Sequence, residues 1–129
     1  MNAFDHENLD VYKAAIDFVA LIDEIVEDLP RGRGYLADQL QRAATSVPLN
    51  IAEGAGEFSG NEKARFYRIA KRSATECAAI LHVCRRVGLV EEPRYAVSRE
   101  LLVRIVSMLI QLARRAGEPG TGTGTGTGT

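Results

Sequence analysis

Residues Gln39 to Gly54 read QLQRAATSVPLNIAEG, and the reading of this stretch decides the fold. Wound as an α-helix, Leu36, Leu40, Ala43, Val47 and Ile51 recur at spacings of four, three, four and four, which stacks them on one face as a packing seam. Beside that seam, Gln39, Arg42, Ser46, Asn50 and Glu53 recur at three, four, four and three and make a second stripe of hydrogen-bonding groups. Two stripes call for two partners. Pro48 lies inside the pattern, where it removes one backbone hydrogen bond and crowds the carbonyl of Ala44, a cost of roughly 3 kcal/mol unless the surroundings compensate. A kinked helix is expected, with the Thr45 or Ser46 hydroxyl helping to satisfy the freed carbonyls; the alternative is a break near Ser46 and a restart with proline in the first turn. Gly54 and Gly56 weaken the helix, so the segment ends between Gly54 and Phe58.

On the N-terminal side, residues 10–29 carry Val11, Tyr12, Ala15, Ile16, Phe18, Val19, Leu21, Ile22, Ile25, Val26 and Leu29. These cover about half the circumference of a helix, wider than the ~100° stripe that a bundle helix needs, and the surplus points to a subunit contact. Asp10 is the expected N-cap, and Pro30, Gly32 and Gly34 make the stop and the turn into the second helix, 34–57. On the C-terminal side, Ser59 caps a third helix over 59–87, with Glu62 completing a capping-box spacing. Its core face reads Phe66, Ala70, Ser73, Cys77, Ile80, Leu81, Cys84 and Val87, and Gly88 ends it. The small side chains Ala70, Ser73, Ala74, Cys77 and Ala78 invite a close neighbour, the helix carrying Ala43 and Ala44. Pro93 opens a fourth helix over 93–116 with Val97, Leu101, Leu102, Ile105, Met108, Leu109 and Leu112 on its face, and Arg114 and Arg115 suit its C-terminal dipole. Residues 1–9 are a lead-in, and 117–129 form a mobile glycine and threonine tail with no packed core. Short connections between four long helices predict an all-α, antiparallel, up-down-up-down four-helix bundle.

The 129 residues, 46% of them hydrophobic, fit one domain. There is no run of eighteen apolar residues and no cleavable leader pattern, which leads to the expectation of a soluble cytoplasmic protein without a membrane partner. Cys77 and Cys84, two helical turns apart, are too distant for a disulfide and read as buried free thiols. The net charge of −1 hides a division. Residues 1–29 hold eight acids against one base, whereas residues 58–87 hold two acids against seven bases. On the outer side of the third helix, Arg65, Arg68, Lys71, Arg72 and Arg86 form the best basic stripe of the chain.

From Leu9 to Arg115 the chain resembles the four-helix proteins encoded by intervening sequences in bacterial 23S ribosomal RNA genes, the S23 family. The resemblance rests on LDVYKAA at Leu9 to Ala15, LADQLQRAATSVPLNIAEG at Leu36 to Gly54, FYRIAKRSATE at Phe66 to Glu76, and VGLV at Val87 to Val90. The second of these is the specific signature. Where the family pattern has glycine before Ser73, this chain has Arg72, which adds charge to the third helix. The resemblance implies a subunit of a ring-shaped homopentamer with no enzymatic activity. It is similar too to a related, strongly basic branch, the accessory variability protein of diversity-generating retroelements, which binds a reverse transcriptase and nucleic acid.

Two pairs of readings follow. The stripe of Gln39, Arg42, Ser46, Asn50 and Glu53 is either an internal network that sets helix or subunit register, with Arg42 and Glu53 as partners across an interface or with another helix, or a contact to another macromolecule. The stripe of Arg65, Arg68, Lys71, Arg72 and Arg86 is either a solvated face opposing the acidic first helix of a neighbour or a phosphate-binding surface for structured RNA. Only Phe66 and Tyr67 stand beside these bases, too few for the stacking that single-strand binding uses. No catalytic residue, metal site, cofactor or small-molecule substrate is expected. Neither His6 nor His82 follows a glutamate by three residues as a di-iron bundle requires, and no phosphate loop, nucleophile elbow or acid pair occurs. The expected function is that of a non-enzymatic oligomeric scaffold that binds RNA, or a nucleic-acid-processing protein such as a reverse transcriptase, through the third helix. The alternative is a purely structural or protein-interaction module.

Overall fold

The computed structural model describes residues 3–117, and these are all helix and connection. A short 3-10 turn at Asp5–Asn8 leads into α1 (Asp10–Glu27), α2 (Gly34–Ala55), α3 (Gly60–Arg86) and α4 (Glu92–Gly117). The turn lies within the expected lead-in; four residues are too few to show a periodicity. It is held by Phe4 N–H donating to the Glu7 carboxylate at 3.1 Å and by the edge of His6 on the Tyr12 ring. Asp10 is the first residue of α1 and not its cap, which is Leu9 without a side-chain hydrogen bond. Gly117, expected in the tail, is the last residue of α4. The remainder of the glycine and threonine tail lies outside the described residues.

Each helix packs on the next in sequence and α1 closes against α4, so the four surround one core. α1 and α3 hold diagonal positions, with no close backbone approach between them. The seam of α2 is buried along its whole length: Leu36, Leu40, Ala43, Val47 and Ile51. Phe18, Ile22 and Ile25 of α1, Leu81 of α3 and Ile105 and Leu109 of α4 meet it, all fully buried, and each such side chain contributes about 1.5–3 kcal/mol of burial. Pro48 is buried inside an uninterrupted α2. Of the two outcomes open for the proline, the break does not occur. Nor do the expected hydroxyls cover the Ala44 carbonyl: Thr45 Oγ1 donates to the Gln41 carbonyl at 2.8 Å, and Ser46 Oγ turns to Ser73.

The face of α3 is rotated relative to the expected one. Tyr67, 4% exposed, is the buried aromatic, whereas Phe66 is half-buried and Val87 is half exposed just past the helix end. The reason lies in α2: Gly54 has no side chain, and the Tyr67 ring lies on its backbone. At the far end of α3, Gly88 at φ +81° takes the left-handed conformation that closes the helix, with Leu89 N–H bonded to the Cys84 carbonyl and Gly88 N–H to that of Arg85.

Cys77 and Cys84 are free and buried. Burial, helped by the charge of Glu76, pushes the Cys77 thiol up to about 12. Burial raises Cys84 as well, against a lowering by Arg33. The folded chain therefore keeps protons that the unfolded chain releases above the ordinary thiol value of 9.0, so both thiols favour the fold below that value and lose their contribution as pH rises above it, that of Cys77 as pH climbs toward about 12. Thermal melts should show the melting temperature falling between about pH 8 and about pH 10, and falling less in a Cys77→Ala, Cys84→Ala variant.

Candidate nucleic-acid interface

The polar stripe of α2 divides into a joined part and an unjoined part. Ser46 and Ser73 hydroxyls meet at 2.8 Å across the α2–α3 interface. Asn50 Nδ2 donates to the Ser46 carbonyl and to Ser46 Oγ, both at 2.9 Å. Asn50, Ser46 and Ser73 thus make a half-buried chain of side chains that fixes the register of α3 on α2 within one subunit. Gln39, Arg42 and Glu53 are exposed, and among the described residues neither Arg42 nor Glu53 forms an ion pair. Sequence reasoning placed Ser73 on the core face and missed it as the partner of Ser46; the available signal was that both are small hydroxyl residues on facing sides. Asn50→Ala removes two hydrogen bonds of about 1 kcal/mol each and leaves Ser46 to water, so calorimetry should show a melting temperature lower by several degrees. An unchanged melting temperature would show that the chain carries no register information.

All five residues of the α3 basic stripe are exposed. They differ in what holds them. Arg65 is tied to Glu62 at 3.1 Å, and its guanidinium lies 4.5 Å over the Phe66 ring. Glu62 is held in turn at the helix start, where its N–H donates to the capping Ser59 Oγ at 3.3 Å. Arg68, Lys71, Arg72 and Arg86 have no ion-pair partner among the described residues. The other two bases of α3 are engaged. Lys63 Nζ donates to the Ala55 carbonyl at 2.9 Å and so caps the end of α2, and Arg85 pairs with Glu92 of α4 at 2.7 Å.

The acids of α1 do not reach this face. Asp17, Asp23, Glu24 and Glu27 are exposed on a helix diagonal to α3, and Asp28, just past its end, pairs with Arg94 of α4 at 2.7 Å. The internal charge division is therefore not neutralised inside the subunit. The α1–α2 side carries instead a groove of about 350 Å³ lined by Ile16, Val19, Ala20, Ala44 and Asp23 among others. A second recess of about 480 Å³ adjoins it on α2 and takes in Arg42, Ser46, Leu49 and Asn50. Ile16 of α1 is 43% exposed, so part of the wide apolar face of α1 does remain uncovered, beside Leu49 of α2 at 61%. No group of three or more His, Cys, Asp and Glu side chains converges among the described residues, and none of their helices is long and apolar enough to cross a membrane.

Four helices around one core, a short hydroxyl network between α2 and α3 and an unneutralised basic face on α3 define an all-helical four-helix protein. The chain belongs to the 23S rRNA-intervening sequence protein family, whose model matches residues 7–111. Among solved structures it is similar to a protein of unknown function from the S23 ribosomal protein family of Bacteroides thetaiotaomicron. The two share 21% sequence identity and a TM-score of 0.75, over 81% of this chain and 98% of that one. At that identity the likeness speaks for the fold. A comparison with curated proteins finds no match.

Proposed function

We propose that this protein is a non-enzymatic, homo-oligomeric scaffold that binds structured RNA through the outer face of α3. The observation that carries the reading is the set of Arg68, Lys71, Arg72 and Arg86, exposed on one helix and without acidic partners among the described residues, while the acidic helix of the same chain lies diagonally away. Fixed cations on a helix meet phosphates without reorganisation, and each phosphate neutralised releases counterions, so affinity falls steeply with salt. The bundle is read as antiparallel and up-down-up-down. Contacts between the start of α3 and the end of α4, and between the end of α3 and the start of α4, support this: Gly60 against the Ala116 carbonyl and Arg85 with Glu92. The ring, a pentamer by family resemblance, would repeat the basic face by symmetry and add weak contacts into useful avidity.

A structured RNA hairpin at low salt tests the reading by filter retention. Retention that declines linearly in log affinity against log salt is expected; no retention even at about 20 mM salt would remove it. One observation favours a second reading, a protein-assembly module. The acidic α1–α2 side with its exposed Ile16 and Leu49 is complementary to the basic side, so neighbouring copies could cover the stripe. Light scattering across the same salt series separates the two. An assembly that dissociates as salt rises and never retains RNA belongs to the second.

A further inference from the structure

The α3 stripe is interrupted. Between Arg72 and Arg86 lie thirteen positions, about 21 Å of helix from one to the other, with Glu76 and no Lys or Arg except Arg85, which Glu92 holds. The neighbouring helix fills that gap. Arg99 of α4 lines the same small recess as Ala78 and Leu81 of α3, which places it close to midway between Arg72 and Arg86. At the other end, the guanidinium of Arg68 lies 3.5 Å from where a Cβ on Gly117 would stand, and Gly60 is pressed against the Ala116 carbonyl. Arg114, exposed and one turn before Gly117 on α4, therefore stands near the level of Arg68. The geometry points to Arg99 and Arg114 as further RNA-binding residues that close the stripe into a belt along the α3–α4 seam, and to double-helical RNA as its ligand. This rests on the reading of α3 given above.

Three features select a duplex over a single strand. The belt runs about 31 Å from Arg65 to Arg86 on packed helices, so its charges keep a fixed spacing suited to a regular backbone. Double-stranded RNA is bound by shape, through phosphates and 2′-hydroxyls on neighbouring grooves. Single-strand sites need aromatic platforms for unstacked bases, and the belt offers few among the described residues: Tyr67 is buried on Gly54, the half-buried Phe66 has Arg65 over its ring, the half-buried Tyr95 beside Arg99 packs against the core, and His82 is a single exposed ring. The exposed ring of Phe58 stands alone, ahead of the α3 cap.

The test uses the full chain with a duplex RNA of about 20 base pairs and with one of its strands alone, at low salt and along a salt series. Duplex should bind at least tenfold more tightly than the strand. Arg99→Glu with Arg114→Glu should weaken duplex binding at least tenfold and flatten the salt slope by about two. Arg104→Glu is the control, since Arg104 falls on the flank of α4 shared with Gln111 and Arg115, which faces α1, and should change binding less than twofold. Equal or tighter binding of the strand overturns the inference, as does an Arg99→Glu, Arg114→Glu variant that behaves like the control. If that variant binds normally while Lys71→Glu with Arg72→Glu does not, the α3 reading stands and the belt falls. If the unaltered chain retains neither RNA, both fall.

Discussion

Replacing Arg68, Lys71 and Arg72 together by glutamate should weaken RNA retention by a factor of about one hundred or more, near 3 kcal/mol, at low salt. All three are exposed and free of ion pairs among the described residues, so the substitution breaks no ion pair and the melting temperature should stay within a few degrees. Loss of binding with an intact melt assigns the effect to the surface. Arg65→Glu alone should do less than any of these, because Glu62 and the Phe66 ring already hold that guanidinium. The slope of log affinity against log salt should flatten by roughly one for each phosphate contact removed. Unchanged retention by the triple variant would transfer the function to another face.

The value of the α3 surface depends on topology more than on composition. A basic helix beside an acidic one would be neutralised by its neighbour at close range; a diagonal placement leaves both faces to the outside. The same placement makes the subunit electrically two-sided, and that property feeds both functional readings. Salt therefore decides between them in opposite directions: it strips RNA from an intact ring in one case and separates subunits in the other.

Repetition over many residues was what the sequence could convey. The α2 seam spans five apolar positions whose period allows one orientation only, and each of the five is buried. Ser59 was readable as a cap because the capping bond is local, to Glu62. Contacts between distant residues were not readable in this way. Phe66 and Tyr67 are adjacent aromatics at the border of one face, and the choice between them is made by a bare patch of backbone at Gly54 on another helix. The basic stripe was visible as residues. Which of the α3 bases keep free charge was not, since Lys63 is held by a carbonyl of α2 and Arg85 by Glu92 of α4. Arg42 and Glu53 illustrate the converse, a complementary pair by type that the helix leaves unpaired among the described residues.

The glycines of the α2–α3 corner should be the most sensitive positions for stability. A Cβ at Gly54 would stand 2.8 Å from Tyr67 Cε1, 3.0 Å from Cδ1 and 3.2 Å from the Lys63 carbonyl. The ring is buried at 4% exposure, and the carbonyl belongs to the α3 backbone. Gly54→Ala must therefore separate the ends of α2 and α3, an overpacking cost of about 1–3 kcal/mol that exceeds the ~1 kcal/mol alanine gains in helix propensity. Gly60→Ala is more severe. Its Cβ would run into the Ala116 carbonyl oxygen, where no side chain can rotate away, so the start of α3 must lift from the end of α4. Gly34 supplies the opposite sign: nothing lies within 4 Å of its Cβ position and it begins α2, so Gly34→Ala should be neutral or slightly stabilising. Thermal melts of the three variants should rank Gly34→Ala highest and Gly60→Ala lowest, with Gly54→Ala below the unaltered chain. A Gly54→Ala protein that melts at or above the unaltered chain would show that Tyr67 has room to move. The rank matters for function, because the corner these glycines close sets where the α3 arginines stand relative to α4.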